Sequence, residues 1–498
     1  MNRRSLGRIL CGMLVLGTAL PLRAQLSQSD YQARRATLAA SVGDGVILAF
    51  GAGEPEEDYM SFYQRPRFAY LTGFIEPDAA LVMVKRGGQV SEMMFVLPRD
   101  PAKEVWTGTR RGVDGVRRLT GMSTREMRSL PATLDTLLAS NPALHVVGDY
   151  SPPAQLASRD DLFMRALKGR FPAIVAKSVN SNVDVQRRVK NAAELALLRK
   201  SIAVTVLAQR EAMRAIRPGM NEFEIQSLIE YTFRRNGSDR PSFATIVGSG
   251  PNSTTLHYNA DDRFMNDGEV VLMDIGASYR GYAADVTRTV PVNGVFSPAQ
   301  REIYQAVRDA QSAAERAATF GAPGQNMIDA SLASLKSSLT RLGLIESPDA
   351  TYECGESGTT CPQYRLFNMH GLGHGIGLEV HDPWYDSAAD RLTPGHAFTI
   401  EPGIYVRGNT LDIISDTPRN RALKDKIRAA VTRYANIGVR IEDDYIVTAN
   451  DVEWVSRAPR EISEIEALMR DKSNGPAARD AATVEWYRAT TPREPGGL

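Results

Sequence analysis

The sequence predicts an α/β (α+β) chain in which a first domain is followed by a larger domain made of two related halves. Its 498 residues, 43% hydrophobic and 23% charged, are enough for two or three domains with sizeable cores. Three of the six histidines lie in one glycine-rich stretch from Asn368 to Asp382. Imidazoles among small residues are typical of a metal or catalytic centre, and a loop with solvated histidines is the alternative.

The first domain is expected over residues 25–180. Apolar runs predict strands at Val46–Phe50, Ala80–Val84, Met93–Leu97 and Leu144–Val147, and helices at Pro131–Ser140 and Asp160–Lys168. This alternation is typical of an α/β domain, and it contains no evident catalytic cluster.

Residues 1–24 have the composition of a cleaved export signal. Arginines at positions 3, 4 and 8 precede an apolar run from Ile9 to Leu22. Cleavage is expected after Ala24. The paired arginines allow twin-arginine export as well as Sec export, whereas a membrane anchor is disfavoured because the run is short. The sequence therefore predicts a periplasmic or secreted protein.

Removal of this segment changes the charge and the cysteine content of the chain. The segment holds four arginines and no acidic residue, so its loss lowers the formal net charge from +1 to −3. A chain without clusters of basic residues gives no indication of nucleic-acid binding. No later segment reaches the roughly 18 consecutive apolar residues that a membrane-spanning helix requires. Loss of Cys11 leaves Cys354 and Cys361, for which a local disulfide is favoured over free thiols.

The second domain is expected over residues 181–470, and each of its halves begins with a pair of helices. In the first half, Asn191 and Glu194 form a capping-type start, and a second helix starts at Asn221. In the second half, one helix opens at Ser297 and the next follows the break at Pro323. The recurrence of this plan indicates an internal duplication.

The strands that follow each helix pair strengthen this interpretation. Asp274 lies six residues after Gly268, and Glu401 lies six residues after Gly395. In both halves the carboxylate ends an apolar run and is preceded by histidine. Two halves facing each other would bring these side chains into one site.

Residues 270–290 are predicted to form a hairpin. With its turn centred between Tyr279 and Arg280, Asp274 and Asp285 lie directly opposite, with Cβ atoms roughly 4.5–5.5 Å apart. Two buried like charges at this distance repel each other, so that one is protonated or cations lie between them. The histidine cluster favours cations.

A last strand, over residues 438–444, places Arg440 and Glu442 on one face. Alone they form a structural ion pair; beside the other residues, Glu442 becomes a candidate metal ligand and Arg440 its partner. Two Asp, two Glu and one His favour Mn²⁺, with Co²⁺ or Zn²⁺ as alternatives. Five such ligands suit two divalent metal ions bridged by hydroxide, a site for amide or ester hydrolysis.

A resemblance to a known family rests on four motifs: D-I-G-A…D-V-T-R-T, M-H-G-L-G-H-G-I-G-L-E-V-H-D, E-P-G-I-Y and G-V-R-I-E-D-D. Together, over about residues 180–465, they resemble the pita-bread metallopeptidases and most closely the aminopeptidase P family. The stretch from Phe68 to Phe74 is similar to that family's creatinase-type N-terminal domain. The resemblance implies that domain followed by a pita-bread catalytic domain with pseudo-twofold duplication. It also implies hydrolysis of the N-terminal Xaa-Pro bond of peptides through a metal-bridging hydroxide.

The resemblance further implies a role for each site residue. The metal ligands would be Asp274, Asp285, His374, Glu401 and Glu442, with Asp285 and Glu442 bridging two ions. Glu401 would also be the general base, and His257 and His381 would orient the scissile carbonyl and the developing oxyanion. The substrate-binding residues would be His257, His370, His381, Arg440 and Trp106. The α-amine of the substrate would dock beside a metal ion, and proline would fill a small apolar pocket.

Trp106 carries the expectation of an oligomer. The stretch Glu104–Gly108 looks like a family segment that offers its tryptophan to the active site of a neighbouring subunit, which implies a homodimer or homotetramer. An ordinary core or surface aromatic residue is the alternative.

Other functions remain open on the same fold. The nearest is a prolidase, which cuts only Xaa-Pro dipeptides; a methionine aminopeptidase is disfavoured by the large first domain and the export signal. A non-catalytic or metal-free member, such as a binding module or a creatinase-like enzyme, would lack a ligand, and all five positions are filled. The loop with Cys354 and Cys361 and the segment Arg407–Tyr434 look longer than the family pattern, and residues 471–498 form a polar tail.

The export signal generates a first testable prediction. When the full chain is expressed in a Gram-negative host, we expect periplasmic protein that begins at Gln25, because the small residue Ala24 completes the cleavage site. N-terminal sequencing of the periplasmic fraction checks this. A full-length chain retained in the cytoplasm or the membrane would contradict it.

Overall fold

The computed structural model describes residues 26–57, 59–140, 143–152, 154–355, 358–384 and 390–471, together with the isolated positions 482 and 485. The predicted export signal and its cleavage position after Ala24 lie outside the described residues. So does nearly all of the polar tail predicted from residue 471 onward.

The first part of the chain is a mixed sheet covered by helices. Its strands are β1 (Gly45–Phe50), β2 (Ala80–Arg86), β3 (Gln89–Val96), β4 (Ser123–Glu126), β5 (Ala143–Val147) and β6 (Val175–Ser178). Its helices are α1 (Gln28–Ala40), α2 (Pro66–Thr72), α3 (Pro101–Thr107), α4 (Gly112–Thr120), α5 (Leu130–Ser140), α6 (Arg159–Arg170) and α7 (Asn180–Arg188). The strand order is β4-β3-β2-β1-β5-β6, with β1 antiparallel to β2 and parallel to β5.

Strand β1 lies at the centre of this sheet, and all six of its residues are buried. Ile47 and Ala49 belong to the core on one face, whereas Val46, Leu48 and Phe50 belong to the core on the other. Alternate side chains of a strand point to opposite faces, so a strand covered on both sides is apolar throughout.

The four strands and two helices predicted for this part are confirmed, with shifts at their ends. The sequence did not predict α1, because Arg34 and Arg35 interrupt its apolar pattern. Both side chains are buried and donate to main-chain carbonyls, Arg34 to Tyr70 O (3.0 Å) and Arg35 to Leu71 O (3.1 Å). The predicted domain limits at residues 180 and 470 stay predictions.

The second part contains two pairs of long helices and two further helices. They are α8 (Ala192–Ala215), α9 (Glu222–Arg235), α10 (Pro298–Ala317), α11 (Gln325–Arg341), α12 (Pro418–Tyr434) and α13 (Ile462–Arg470). Helix α8 begins with the predicted capping box, in which Asn191 and Glu194 each accept the other's main-chain N–H. Helix α10 begins with a similar box at Ser297. Both helix pairs predicted from the sequence are confirmed.

The strands of the second part form small antiparallel sheets. They are β7 (Arg240–Pro241), β8 (Ile246–Ser249), β9 (Val270–Ile275), β10 (Ala277–Tyr279), β11 (Tyr282–Ala283), β12 (Val286–Pro291), β13 (Thr351–Glu353), β14 (Thr360–Pro362), β15 (Ala397–Ile400), β16 (Gly403–Val406), β17 (Ile437–Arg440), β18 (Asp443–Val447) and β19 (Val452–Trp454). The first half contributes β12-β9-β8 and β11-β10-β7, and the second half contributes β15-β18-β19 and β16-β17. Each helix pair is thus followed by strands of its own half.

The hairpin at residues 270–290 forms, but its predicted register is wrong. Tyr279 pairs with Tyr282, and Asp274 pairs with Thr287 rather than with Asp285. The two turn residues are Arg280 and Gly281, each with a positive φ (50° and 82°), so the turn lies one residue later than predicted and the same register continues to Asp274. Since Asp285 precedes Thr287 by two residues, its side chain stays on the face that carries Asp274.

A buried arginine joins the two halves next to this hairpin. Arg288 in β12 is fully buried and donates to the Asp443 carboxylate (2.7 Å) and to the carbonyl oxygen of Glu442 (2.7 Å). Asp443 also accepts from Arg460 (2.9 Å), so its charge is balanced from two sides. The strand ends that carry Asp285 and Glu442 are thereby held together.

Two sequence expectations concern the outside of this domain. Cys354 and Cys361 form a disulfide beside the β13–β14 pair, as the sequence favoured. Within the described part of the chain, no helix combines the length and apolar character that crossing a membrane requires.

Candidate metal centre

A cavity of about 420 Å³ opens where the strands of the two halves meet. Nine of the ten site residues predicted from the sequence line it: His257, Asp274, Asp285, His370, His374, His381, Glu401, Arg440 and Glu442. Trp106 is the exception, since it lies on α3 with 77% of its surface exposed. The structure therefore brings residues from both halves into one chamber and leaves Trp106 outside it.

His374 presents one ring nitrogen to the carboxylates of the cavity. Its Nδ1 lies 3.1 Å from the carbonyl oxygen of Gly375, so this nitrogen carries the proton and donates it. Its Nε2 faces Asp285 (3.5 Å), Glu401 (3.5 Å) and Glu442 (3.8 Å). Burial, and after it the neighbouring His381, lowers the pKa of His374 to about 4, which keeps the ring neutral. A neutral imidazole with a free Nε2 is the form that binds metal ions.

The carboxylates around His374 have oxygen atoms without protein partners. Ligand atoms of Asp285, His374 and Glu442 all lie within 4.8 Å of one another. Among the described residues, Asp274 Oδ1, Asp285 Oδ1 and Glu442 Oε1 are buried and receive no hydrogen bond. Buried oxygen atoms of this kind normally have a donor or a cation, so this group of acceptors fits metal ions.

Electrostatics support the same conclusion. Burial, and after it neighbouring carboxylates, raises the pKa of Asp285 and Glu401 well above the usual carboxyl range and that of Glu442 to about 8. In the protein alone, these groups avoid mutual repulsion by keeping protons. Two divalent cations would replace those protons, and an oxygen-dominated donor set with one imidazole suits Mn²⁺, Co²⁺ or Zn²⁺.

Arg440 supports the ligands from behind. Its side chain forms a short ion pair with Asp274, and its Nε donates to Thr287 Oγ1 (3.2 Å). The Thr287 hydroxyl in turn donates to Glu442 Oε2 (2.7 Å). One guanidinium therefore orients a ligand from each half, which agrees with its predicted role beside the metal ligands.

A chain of hydrogen bonds continues from Arg440 to His370. Arg440 Nη1 donates to the Tyr405 hydroxyl (2.8 Å), which leaves the Tyr405 proton for His370 Nε2 (2.8 Å). His370 Nδ1 then donates to the carbonyl oxygen of Gly371 (2.8 Å). Burial, and after it Arg440, lowers the pKa of His370 to about 4, in accord with a neutral ring. Both His370 nitrogens are thus engaged, and the ring serves as a wall of the cavity.

The glycines of the histidine stretch allow close backbone approach. At Gly373, a Cβ atom would lie 2.1 Å from the carbonyl oxygen of Thr399 on β15. The adjacent His374 N–H donates to Thr399 Oγ1 (3.1 Å), and Thr399 N–H donates to the His374 carbonyl oxygen (2.9 Å). Any larger residue at position 373 would push His374 away from the carboxylates.

His381 lies on the rim of the cavity, on a loop that is anchored by α7 and the residues just after it. The next residue, Asp382, is buried and paired with Arg187 (2.5 Å) and Lys190 (3.0 Å). Arg187 also pairs with Glu379 on the same loop (2.6 Å). The His381 ring is exposed and lies 4.2 Å from the His374 ring, between centroids.

His257 lies on the same rim and belongs to a loop organised by a buried glutamate. Glu222, the first residue of α9, accepts from Ser249 N (2.6 Å), Tyr258 Oη (2.9 Å) and Arg263 N (3.0 Å). It is fully buried, so these bonds are sheltered from water. Residues on both sides of His257 are therefore tied to one carboxylate.

Sequence reasoning assigned no role to Glu222, Thr287, Thr399 or Tyr405. Tyr405 lies in the E-P-G-I-Y motif and Thr287 in D-V-T-R-T, so both motifs contained a signal. For Glu222 the only signal was an acidic residue in the first turn of a helix, which is common in helices of any function.

The chain is similar to families and proteins of known type. Residues 196–449 match the model of metallopeptidase family M24, and residues 31–147 match that of the aminopeptidase P N-terminal domain. Xaa-Pro aminopeptidase of Escherichia coli (strain K12) is 32% identical over 469 residues, which cover 90% of this chain and 98% of that protein. Xaa-Pro aminopeptidase of Haemophilus influenzae is 33% identical over 463 residues, covering 90% and 99%.

Solved structures give the same result for the whole architecture. Proline aminopeptidase P II from Yersinia pestis superposes with a TM-score of 0.75 at 30% identity, covering 89% of this chain and 100% of that one. A zinc-substituted aminopeptidase P from E. coli in complex with product superposes with a TM-score of 0.74 at 30% identity, covering 90% and 99%.

The raised carboxyl pKa values generate a second testable prediction. The unfolded chain releases its carboxyl protons above a pKa of about 4, whereas the folded, metal-free protein keeps protons on Glu442 up to about pH 8. The free energy of unfolding of the metal-free protein therefore falls as pH rises toward about 8. Bound Mn²⁺ displaces these protons, so we expect Mn²⁺ to raise the melting temperature more at pH about 8 than at about 6. Thermal melts with and without Mn²⁺ across this range measure the effect.

A matched variant separates this effect from general salt binding. Glu442→Gln removes the carboxyl whose pKa is raised to about 8, and most of the pH-dependent gain should disappear. Glu453→Gln removes a carboxylate on the outer strand β19 and should retain it. An Mn²⁺ effect that is equal at both pH values would contradict the prediction.

Proposed function

The chain belongs to metallopeptidase family M24, and from this premise we propose that it is an Xaa-Pro aminopeptidase that releases the first residue of peptides with proline second. Its pita-bread catalytic domain follows an aminopeptidase P N-terminal domain. The observation that carries the proposal is the convergence of five candidate ligands and three further histidines in one cavity.

The ligand set supports a dinuclear centre. Asp274, Asp285, His374, Glu401 and Glu442 would hold two divalent cations. When bound, such cations lower the pKa of a water molecule and polarise the scissile carbonyl. Mn²⁺ is the ion we propose, because carboxylate oxygens dominate the donor set.

Glu401 is proposed to move the proton of the reaction. Its oxygens lie 3.5 Å from His374 Nε2 and 3.7 Å from His370 Nδ1, at the edge of the cluster. A carboxylate at this position can take up a proton and release it again. It accepts a proton from the attacking water and delivers it to the proline nitrogen as the C–N bond breaks.

The rim histidines are proposed to orient the scissile bond. His257 and His381 are exposed, so their rings are accessible to a substrate, in contrast to His370, whose two nitrogens are engaged. A ring N–H directed at the scissile carbonyl oxygen stabilises the negative charge that develops there. The free amine of the substrate is drawn to the carboxylates, which limits cleavage to the first residue.

Proline is proposed to bind against apolar side chains of the cavity. Phe243, Ile246, Leu256 and Val380 line it together with the charged residues. The imide nitrogen of an Xaa-Pro bond has no N–H, so an apolar wall leaves no donor unpaired. The apolar wall therefore favours binding of proline over residues whose amide N–H would be left without an acceptor.

The protein is proposed to act outside the cytoplasm. The disulfide between Cys354 and Cys361 is typical of an oxidising compartment, in accord with the predicted export signal.

Trp106 is proposed to complete the site of a neighbouring subunit in a homodimer or homotetramer. It and Val105 are 77% and 80% exposed on one short helix, so their apolar surface is available to a neighbouring subunit.

A complementation experiment tests this arrangement. Trp106→Ala and Glu401→Gln are each expected to reduce activity strongly when produced alone. In mixed oligomers, the Glu401→Gln subunit supplies its tryptophan to the intact ligands of the other, so activity should return. Size-exclusion chromatography coupled to light scattering checks for assembly. Full activity of Trp106→Ala, or no recovery in mixed oligomers, would contradict the role in trans.

The proposed activity is tested with two substrates. Mature protein is treated with a chelator, supplied with Mn²⁺, Co²⁺ or Zn²⁺ in turn, and given the dipeptide Gly-Pro or a longer Xaa-Pro-Yaa peptide. We expect metal-dependent release of the first residue from the longer peptide, greatest with Mn²⁺. Glu401→Gln should lower kcat by about 10²–10⁴-fold. Activity that this substitution leaves unchanged would come from contaminating peptidases.

The other possible outcomes of this experiment would each indicate a different function. Cleavage of the dipeptide alone would identify a prolidase. No cleavage of either peptide by metal-loaded protein would overturn the proline-specific assignment and favour a non-catalytic binding member.

A further inference from the structure

We propose that a groove between the two domains binds the part of the peptide that follows proline, so that the enzyme prefers peptides longer than three residues with a free C-terminal carboxylate. This inference rests on the proposed function, since it extends the same active site and names the class of substrate. The groove has two parts, an inner groove beside the catalytic cavity and an outer groove beyond it.

The groove is continuous with the catalytic cavity. Val380 and His381 line both the cavity and the inner groove, whose volume is about 330 Å³. Gln64, Arg240 and Leu378 line both the inner groove and the outer groove, whose volume is about 580 Å³. Each part has the size of an ordinary ligand site, about 300–1,000 Å³.

The charges of the cavity set the direction of a bound peptide. In the proposed reaction, its free amine docks among the candidate metal ligands. Its scissile carbonyl lies beside His381 on the rim, so the residues after the scissile bond extend past His381. The inner groove begins there, because His381 is one of its walls.

Both domains contribute to the walls of the groove. Tyr63 and Ile75 come from the first domain and are 49% and 47% exposed, so they offer apolar surface to a peptide. Arg240 comes from the second domain, and its guanidinium lies over the Tyr63 ring, with Cζ 3.7 Å from the ring centroid. This cation–aromatic contact joins the domains at the point where the inner and outer grooves meet.

The charge of the outer groove suits a carboxylate. Arg234, Arg240 and Arg280 line it with one acidic residue, Asp239. Among the described residues, the Arg240 guanidinium has no carboxylate partner, which leaves its donors available to a ligand. Glu379 in the inner groove is already neutralised by Arg187. A peptide that ends in a free carboxylate therefore meets an excess of positive charge.

The test is a series of Xaa-Pro peptides with three to eight residues, each as the free acid and as the C-terminal amide. We expect kcat/KM to rise beyond the tripeptide, mainly through KM, and the acid to be preferred over the amide by about fivefold, the value of one partly exposed ion pair. Added salt should reduce the preference for the acid.

Two variants locate the effect. Arg240→Gln and Tyr63→Ala should each lower the ratio of kcat/KM for the longest peptide to that for the tripeptide, and Arg240→Gln should also abolish the acid preference. The matched controls are Arg235→Gln and Tyr231→Ala, which alter a similar arginine–tyrosine contact on α9 that does not line the groove. The controls should retain the wild-type ratio.

The outcomes separate this inference from the proposed function. A flat length series in an enzyme that cleaves the tripeptide would overturn the inference and leave the proposed function in place. Equal ratios in the wild type and both groove variants would overturn it as well. Cleavage of no Xaa-Pro peptide of any length would overturn the proposed function itself.

Discussion

Four carboxylates that face one cavity repel one another, and the surrounding contacts hold them in place against this repulsion. Asp274, Asp285, Glu401 and Glu442 share one cavity with a single guanidinium, that of Arg440. One cation cannot balance four anions in a place where burial weakens screening, so the protein alone retains protons there. Bringing these carboxylates together lowers the free energy of unfolding of the metal-free protein. Divalent cations in place of the protons would reverse this effect.

The duplicated architecture explains how these residues can be assembled at all. Each half positions its carboxylates at or beside the ends of short antiparallel strands, and buried polar groups behind the cavity hold the strands together. Arg288 connects β12 to the main chain at Glu442, while Arg440 on β17 reaches Asp274 on β9. Small residues such as Gly373 allow the backbones to approach, so that the positions of the ligands follow from main-chain contacts. The ligands therefore need little adjustment when metal ions bind.

The sequence predicted the parts of this design that are local. Capping residues revealed α8 and α10, and the carboxylates were found from their place at the ends of apolar runs. It failed for the hairpin register, because Arg280 and Gly281 form the turn rather than Tyr279 and Arg280, and a shift of one residue at the turn changes every pair along both strands. It also missed Glu222 and Tyr405, whose partners are distant in the chain: Glu222 contacts Tyr258 and Arg263 across a folded loop, and Tyr405 connects Arg440 to His370. Such roles become visible only when the chain is folded.

The segment that links the two domains holds one rim of the cavity in place. Asp382 is held by Arg187 and Lys190, at the point where the chain passes from one domain to the other, and this pairing fixes the loop that carries His381. A buried ion pair of this kind adds little stability beyond an apolar contact, but it specifies one loop position, because a displaced Asp382 would leave its own charge and that of Lys190 without a partner. The candidate metal ligands thus belong to the second domain, whereas the walls of the proposed peptide groove come from both domains. A change at Tyr63 in the first domain can therefore alter the groove without disturbing the carboxylates of the cavity.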